Sequence, residues 1–103
     1  MPYIKQEKRD QLEHALHEAH NALVGMELDD PENNMEGNLN YFITSLLNKV
    51  YTTPSYREIN DAIGLLECVK LEYYRRKAAP YENQKVFDNG DVYEPPLEHH
   101  MML

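Results

Sequence analysis

LLECVKLEYYRRKAAPYENQKVFDNGDVY, residues 65–93, decides the fold, because it contains two signals for where helix gives way to something else. The first is Pro80. A proline drives the residue before it out of the helical region, so a helix entering at Leu65 is expected to stop at about Ala79. The second is Asn89-Gly90, set between the apolar pairs Val86-Phe87 and Val92-Tyr93. Asn-Gly tolerates positive φ at both central turn positions, so the sequence predicts a β-hairpin with strands of two or three residues. So short a hairpin is not stable alone and has to pack on the helices or on a neighbouring copy.

Upstream, Ser55-Tyr-Arg-Glu58 directly after Pro54 has capping-box spacing and opens the third helix. Its main stripe is Ile59, Ala62, Ile63, Leu66, Val69 and Tyr73, and nearly opposite lie Gly64, Cys68 and Leu71. A helix apolar on two sides needs two partners, here the core and a second copy of the chain. A second helix begins at about Asn38 and carries Leu39, Phe42, Ile43, Leu46, Leu47 and Val50 before residues 51–54 end it. A first helix starts at Asp10, with Glu13 at D-x-x-E spacing, runs along Leu12, Leu16, Ala19, Leu23 and Met26, and closes at Gly25. Residues 29–37 are acidic, contain Pro31, and form a loop. The expected architecture is all-α: a small three-helix domain over residues 1–93, with a short C-terminal β-hairpin, a flexible tail over 94–103, and an oligomeric assembly.

Length and charge narrow the function. The chain has 103 residues, and a domain of that size buries only about 60–65% of its unfolded surface, which favours association. A net charge of −8 disfavours polynucleotides, whose phosphates call for a basic face. One small anion is compatible with it, since remote carboxylates are screened beyond about 8–10 Å at cellular salt. Cys68 is the only cysteine, so no intrachain disulfide exists. The opening MPYIKQEKRD has no apolar signal region and no apolar run approaches about 18 residues, so a cytoplasmic chain with no membrane partner is expected.

The candidate chemistry lies at the end of the third helix. Tyr73, Tyr74 and Tyr81 offer faces on which a base stacks, and Arg75 and Arg76, beside Lys77, pair with phosphate. The blander reading is that these cations complement the dipole of a last helical turn while Tyr73 fills the core. Arg75 and Arg76 are about 100° apart around a helix, which suits convergence across a subunit boundary better than within one chain. His14, His17 and His20 recur every three residues, and His14 with Glu18 has metal-ligand spacing, but the row drifts around a solvated face. Cys68 is read as a small buried apolar residue. Ser45 and Ser55 lack a nucleophile-elbow context, and no Gly-rich phosphate loop exists. No catalytic residue, metal or cofactor is therefore expected.

LNYFIT (39–44), INDAIGLLECVKLEYYRR (59–76), APYENQK (79–85) and NGDVY (89–93) together resemble a family of small, mostly uncharacterised proteins of phages and bacteria. Residues 29–37 and the tail after Tyr93 look like additions to that pattern. The family is similar in turn to phage sponge proteins, small helical oligomers that sequester the cyclic dinucleotides of the antiphage system CBASS. That resemblance implies a non-enzymatic immune-evasion protein that binds a cyclic dinucleotide or related small nucleotide in the host cytoplasm. Its ligand residues would be Tyr73, Tyr74, Arg75, Arg76 and Tyr81. Two other readings stay open: a protein-interaction or structural accessory module docking through the second face of helix three, and a nucleotide hydrolase using the histidines and a metal.

Overall fold

The structure, a computed structural model, describes residues 2–29, 32 and 34–93. Its elements are α1 (Gln6–Asp29), α2 (Met35–Val50), α3 (Tyr56–Tyr73), a π-helical segment (Tyr74–Ala78) and α4 (Ala79–Asn89). Among the described residues there is no strand, so the expected C-terminal β-hairpin is wrong. The residues assigned to it form the end of α4 and its exit. The tail over 94–103 lies outside the described residues.

The chain divides into two compact units, Met1–Leu66 and Glu67–Leu103. In the first, α1 and α2 touch, and each element begins where its local hydrogen bonds dictate. The helix α1 starts at Gln6, one turn before Asp10: the Arg9 N–H donates to the Lys5 carbonyl at 3.1 Å, and the Asp10 side chain accepts from the Gln6 side chain at 2.8 Å. Arg9 reaches back to the Ile4 carbonyl at 2.8 Å and ties down the entering chain. The helix then runs straight through Gly25. A lone glycine costs about 1 kcal/mol relative to alanine, too little to end a helix that has Met26-Glu27-Leu28 ahead of it.

Asn34, not Asn38, caps α2. Its side-chain oxygen accepts from the Glu36 N–H at 2.9 Å and the Gly37 N–H at 3.3 Å, which draws residues 35–37 out of the expected loop and into the helix. The α3 start agrees with the sequence: the Ser55 hydroxyl accepts from the Glu58 N–H at 3.2 Å.

The second unit holds the larger departure. Pro80 does not stop the helix; it occupies the first turn of α4, a position that tolerates proline. The turn before it widens, and the Ala79 N–H donates to the Tyr74 carbonyl five residues back, the π-helical spacing. This local widening accommodates a ring that would otherwise strike the carbonyl four residues earlier. The helix ends instead at Gly90, whose N–H donates to the Val86 carbonyl at 2.8 Å and whose φ of 93° is open to glycine. Asn-Gly therefore acts here as a helix terminator: a positive φ at glycine serves a C-terminal exit as well as a hairpin.

None of the described residues is buried. Both faces of α3 are open, with Ile63 on the main stripe 61% exposed and Leu71 on the opposite side 56% exposed. Cys68 is exposed too, contrary to its expected burial.

Candidate functional site

All five candidate residues lie in the second unit, on the end of α3, the π segment and the first turn of α4. Tyr73 is 67% exposed, Tyr74 52% and Tyr81 65%, so none of the three fills a core. Arg75, Arg76 and Lys77 are not in a last turn either, because the helix continues to Asn89. Neither part of the blander explanation, dipole complementation or core filling, describes what the residues do here.

The segment carries its own counter-charges. Arg75 Nη2 donates to Glu72 Oε1 at 2.8 Å, one helical turn back. The Tyr74 hydroxyl donates to Glu82 Oε1 at 2.6 Å. This bond and the negative charge of Glu82 hold the phenol above its ordinary pKa of 10.0, since both favour the neutral, donating form. Arg76 and Lys77 form no ion pair with any described residue, which leaves two cations available to a ligand.

Two contributors were not legible from sequence. Glu82 reaches Tyr74 across eight positions, a spacing about 80° off one face in a regular α-helix. With one extra residue in the π turn, position i+8 falls where i+7 otherwise would, about 20° from the starting face. Lys85 is the other: its ammonium lies 5.4 Å from the centre of the Tyr81 ring, a cation–π arrangement at ordinary helical i+4 spacing. The signal for it existed in the sequence, but only for a reader who carries the helix through Pro80.

The histidine row stays on α1. His14 Nε2 lies 3.3 Å from Glu18 Oε1, both strongly exposed, and His20 Nδ1 lies 3.4 Å from Oδ1 of its neighbour Asn21. Among the described residues, no three histidine, cysteine or carboxylate groups come together in a way that would hold a metal. Nor is any helix among the described residues long and apolar enough to cross a membrane.

A family model described as a domain of unknown function, DUF6899, matches residues 1–92. The match takes in α1 and residues 29–37 as well as the region from Asn38 onward on which the sequence resemblance rested. No curated protein and no solved structure matches the chain.

Proposed function

The chain belongs to the DUF6899 family of unknown function, and from the geometry of residues 73–82 we propose that it is a non-catalytic binding protein that sequesters a small nucleotide. The observation that carries this reading is a mid-helix cluster of exposed tyrosines and cations in which Arg76 and Lys77 form no ion pair with any described residue. The π turn adds support, since such insertions are frequent at functional sites. A cyclic dinucleotide, two nucleosides joined through their sugars by two phosphodiesters, matches the mixture of ring faces and unpaired cations. It is also the ligand that the resemblance to phage sponges implies, and immune evasion is then the biological role. Arg76 and Lys77 meet phosphate in this reading, and the tyrosines meet bases.

Assembly is the second part of the proposal. Ordering a residue costs about 1–2 kcal/mol of backbone entropy, and burying an Ile or Leu side chain returns roughly 1.5–3 kcal/mol. With no described residue buried, that return is collected only in part within a single chain. A second copy, bringing the same open faces of α2 and α3, collects it, and the chain is a homo-oligomer. The same open faces favour one alternative reading, a docking module for another protein.

Calorimetry of the full chain against a panel of cyclic and linear dinucleotides, followed by chromatography of the recovered ligand, tests the function. The expected result is binding with the ligand intact, weakened about ten- to a hundredfold by Arg76→Ala, since a charge-assisted hydrogen bond contributes about 1.5–3 kcal/mol. Absence of heat from every nucleotide transfers the reading to the docking module, and cleaved ligand makes the protein an enzyme. Light scattering gives the mass; a monomer at micromolar concentration rules out the assembly.

A further inference from the structure

Where α4 ends, Gly90 turns the chain, and the segment leaving it closes one side of an open cavity of about 630 Å³. Tyr74, Glu82, Lys85, Val86, Asp91 and Tyr93 line it. That volume lies in the range of small-molecule clefts, about 300–1,000 Å³. Its walls are held in place. The Tyr74 hydroxyl is tied to Glu82 at 2.6 Å, and the Tyr93 N–H donates to Asp91 Oδ1 at 3.0 Å in a turn that fixes the exit.

We infer that this cavity is the base-binding part of the nucleotide site and that it selects guanine; the inference rests on the binding function proposed above. Two tyrosine rings on one cavity suit a planar heterocycle, because every base offers a π face to stack on. The polar groups set which base. Glu82 and Asp91 are carboxylates, which accept hydrogen bonds and donate none when ionised. Each has a second oxygen beyond the one already engaged. Guanine offers two adjacent donors on its pairing edge, the ring N1–H and the exocyclic amino group, and so matches a carboxylate with both. Adenine presents an acceptor where guanine has N1–H and sets a lone pair against the negative charge. Lys85 supplies a cation for the phosphate end of the ligand.

The test is calorimetry of the full chain with four probes: GMP, AMP, cyclic di-GMP and cyclic di-AMP. Two variants are compared with the parent, and circular dichroism checks that each keeps its helix content. The guanine probes are expected to bind at least tenfold tighter than their adenine counterparts. Tyr93→Ala, in the exit beyond α4, weakens guanine binding about tenfold or more. Asp91→Asn keeps an oxygen for the Tyr93 N–H, so the turn survives, and narrows the preference for guanine over adenine at least fivefold. Equal binding of guanine and adenine probes by the parent overturns the guanine assignment. Binding that neither variant alters places the base elsewhere on the chain, overturning the cavity while the binding function stands. No binding of any probe by the parent overturns both.

Discussion

Two prolines, Pro54 and Pro80, have opposite effects on the helices beside them. Pro54 lies in a break: α2 has ended at Val50 and α3 starts at Tyr56. Pro80 lies inside a helix that passes over it through a π turn. Their neighbours make the difference. Around Pro54 stand Thr52, Thr53 and Ser55, residues that favour extended or capping conformations, and Ser55 supplies the oxygen that starts the next helix. Around Pro80 stand Arg76, Lys77, Ala78 and Ala79 before it and Glu82 after it, all good helix formers, with no cap residue adjacent. A proline ends a helix where the chain has something else to form; otherwise a widened turn absorbs it.

Replacing Pro80 tests that comparison most severely. Proline is about 3 kcal/mol less favourable than alanine in a helix interior and less so in a first turn, so Pro80→Ala should stabilise the chain by up to about 3 kcal/mol, read as a higher thermal midpoint, and convert residues 74–78 to regular α-helix. The same variant should lose nucleotide affinity, because Tyr74 and Glu82 then fall on different faces. If amide exchange shows that the bond from Ala79 to Tyr74 persists in it, something other than the proline ring holds the turn open.

Gly90 marks the place where the second unit does leave the helix. Its φ of 93° and ψ of 152° fall in a region nearly closed to other residues, so Gly90→Ala should destabilise by about 1–3 kcal/mol, measured by urea unfolding. An unchanged midpoint would mean that the exit is reached without that conformation. At the other break, Ser55→Ala should remove the α3 cap and cost about 1 kcal/mol in the same assay. A loss well below that would assign the break to Pro54 alone.

The smallest effect concerns Tyr74. Its pKa is raised, so the neutral phenol is the form the fold favours; the contribution is whole below pH 10.0 and is lost as pH rises through the higher folded value. In an ultraviolet titration of the eight tyrosines, one should ionise later than an unperturbed phenol, and Glu82→Gln should shift that step back down. No change in the titration would show that Tyr74 and Glu82 are not paired in solution.

The sequence was most readable where a side chain makes its own local hydrogen bond. Ser55 at the α3 start needs only residues three apart, and the structure has that bond. It was least readable where two outcomes share one local signal. Asn89-Gly90 supplies a positive φ, which a hairpin and a helix end use equally, and only the fate of Pro80 separates them. The helix ends at Asp10 and Gly25 were misplaced because weak stop signals were set against long runs of good helix formers. The tyrosine and arginine cluster was visible as composition. Its partners Glu82 and Lys85 were not, since the supposed break at Pro80 removed them from the same helix. Nothing in the pattern announces the absence of any buried residue among those described, although the two apolar faces of α3 call for separate partners.

The π turn also ties the alignment of the site to chain length. It is one extra residue in an otherwise α-helical run, so deleting one residue of the alanine pair 78–79 would let the turn close to regular α-helix with Glu82 seven positions after Tyr74, about 20° from its face. A three-nucleotide deletion there would therefore keep the pair in phase, whereas straightening the turn at full length would leave Tyr74 and Glu82 about 80° apart.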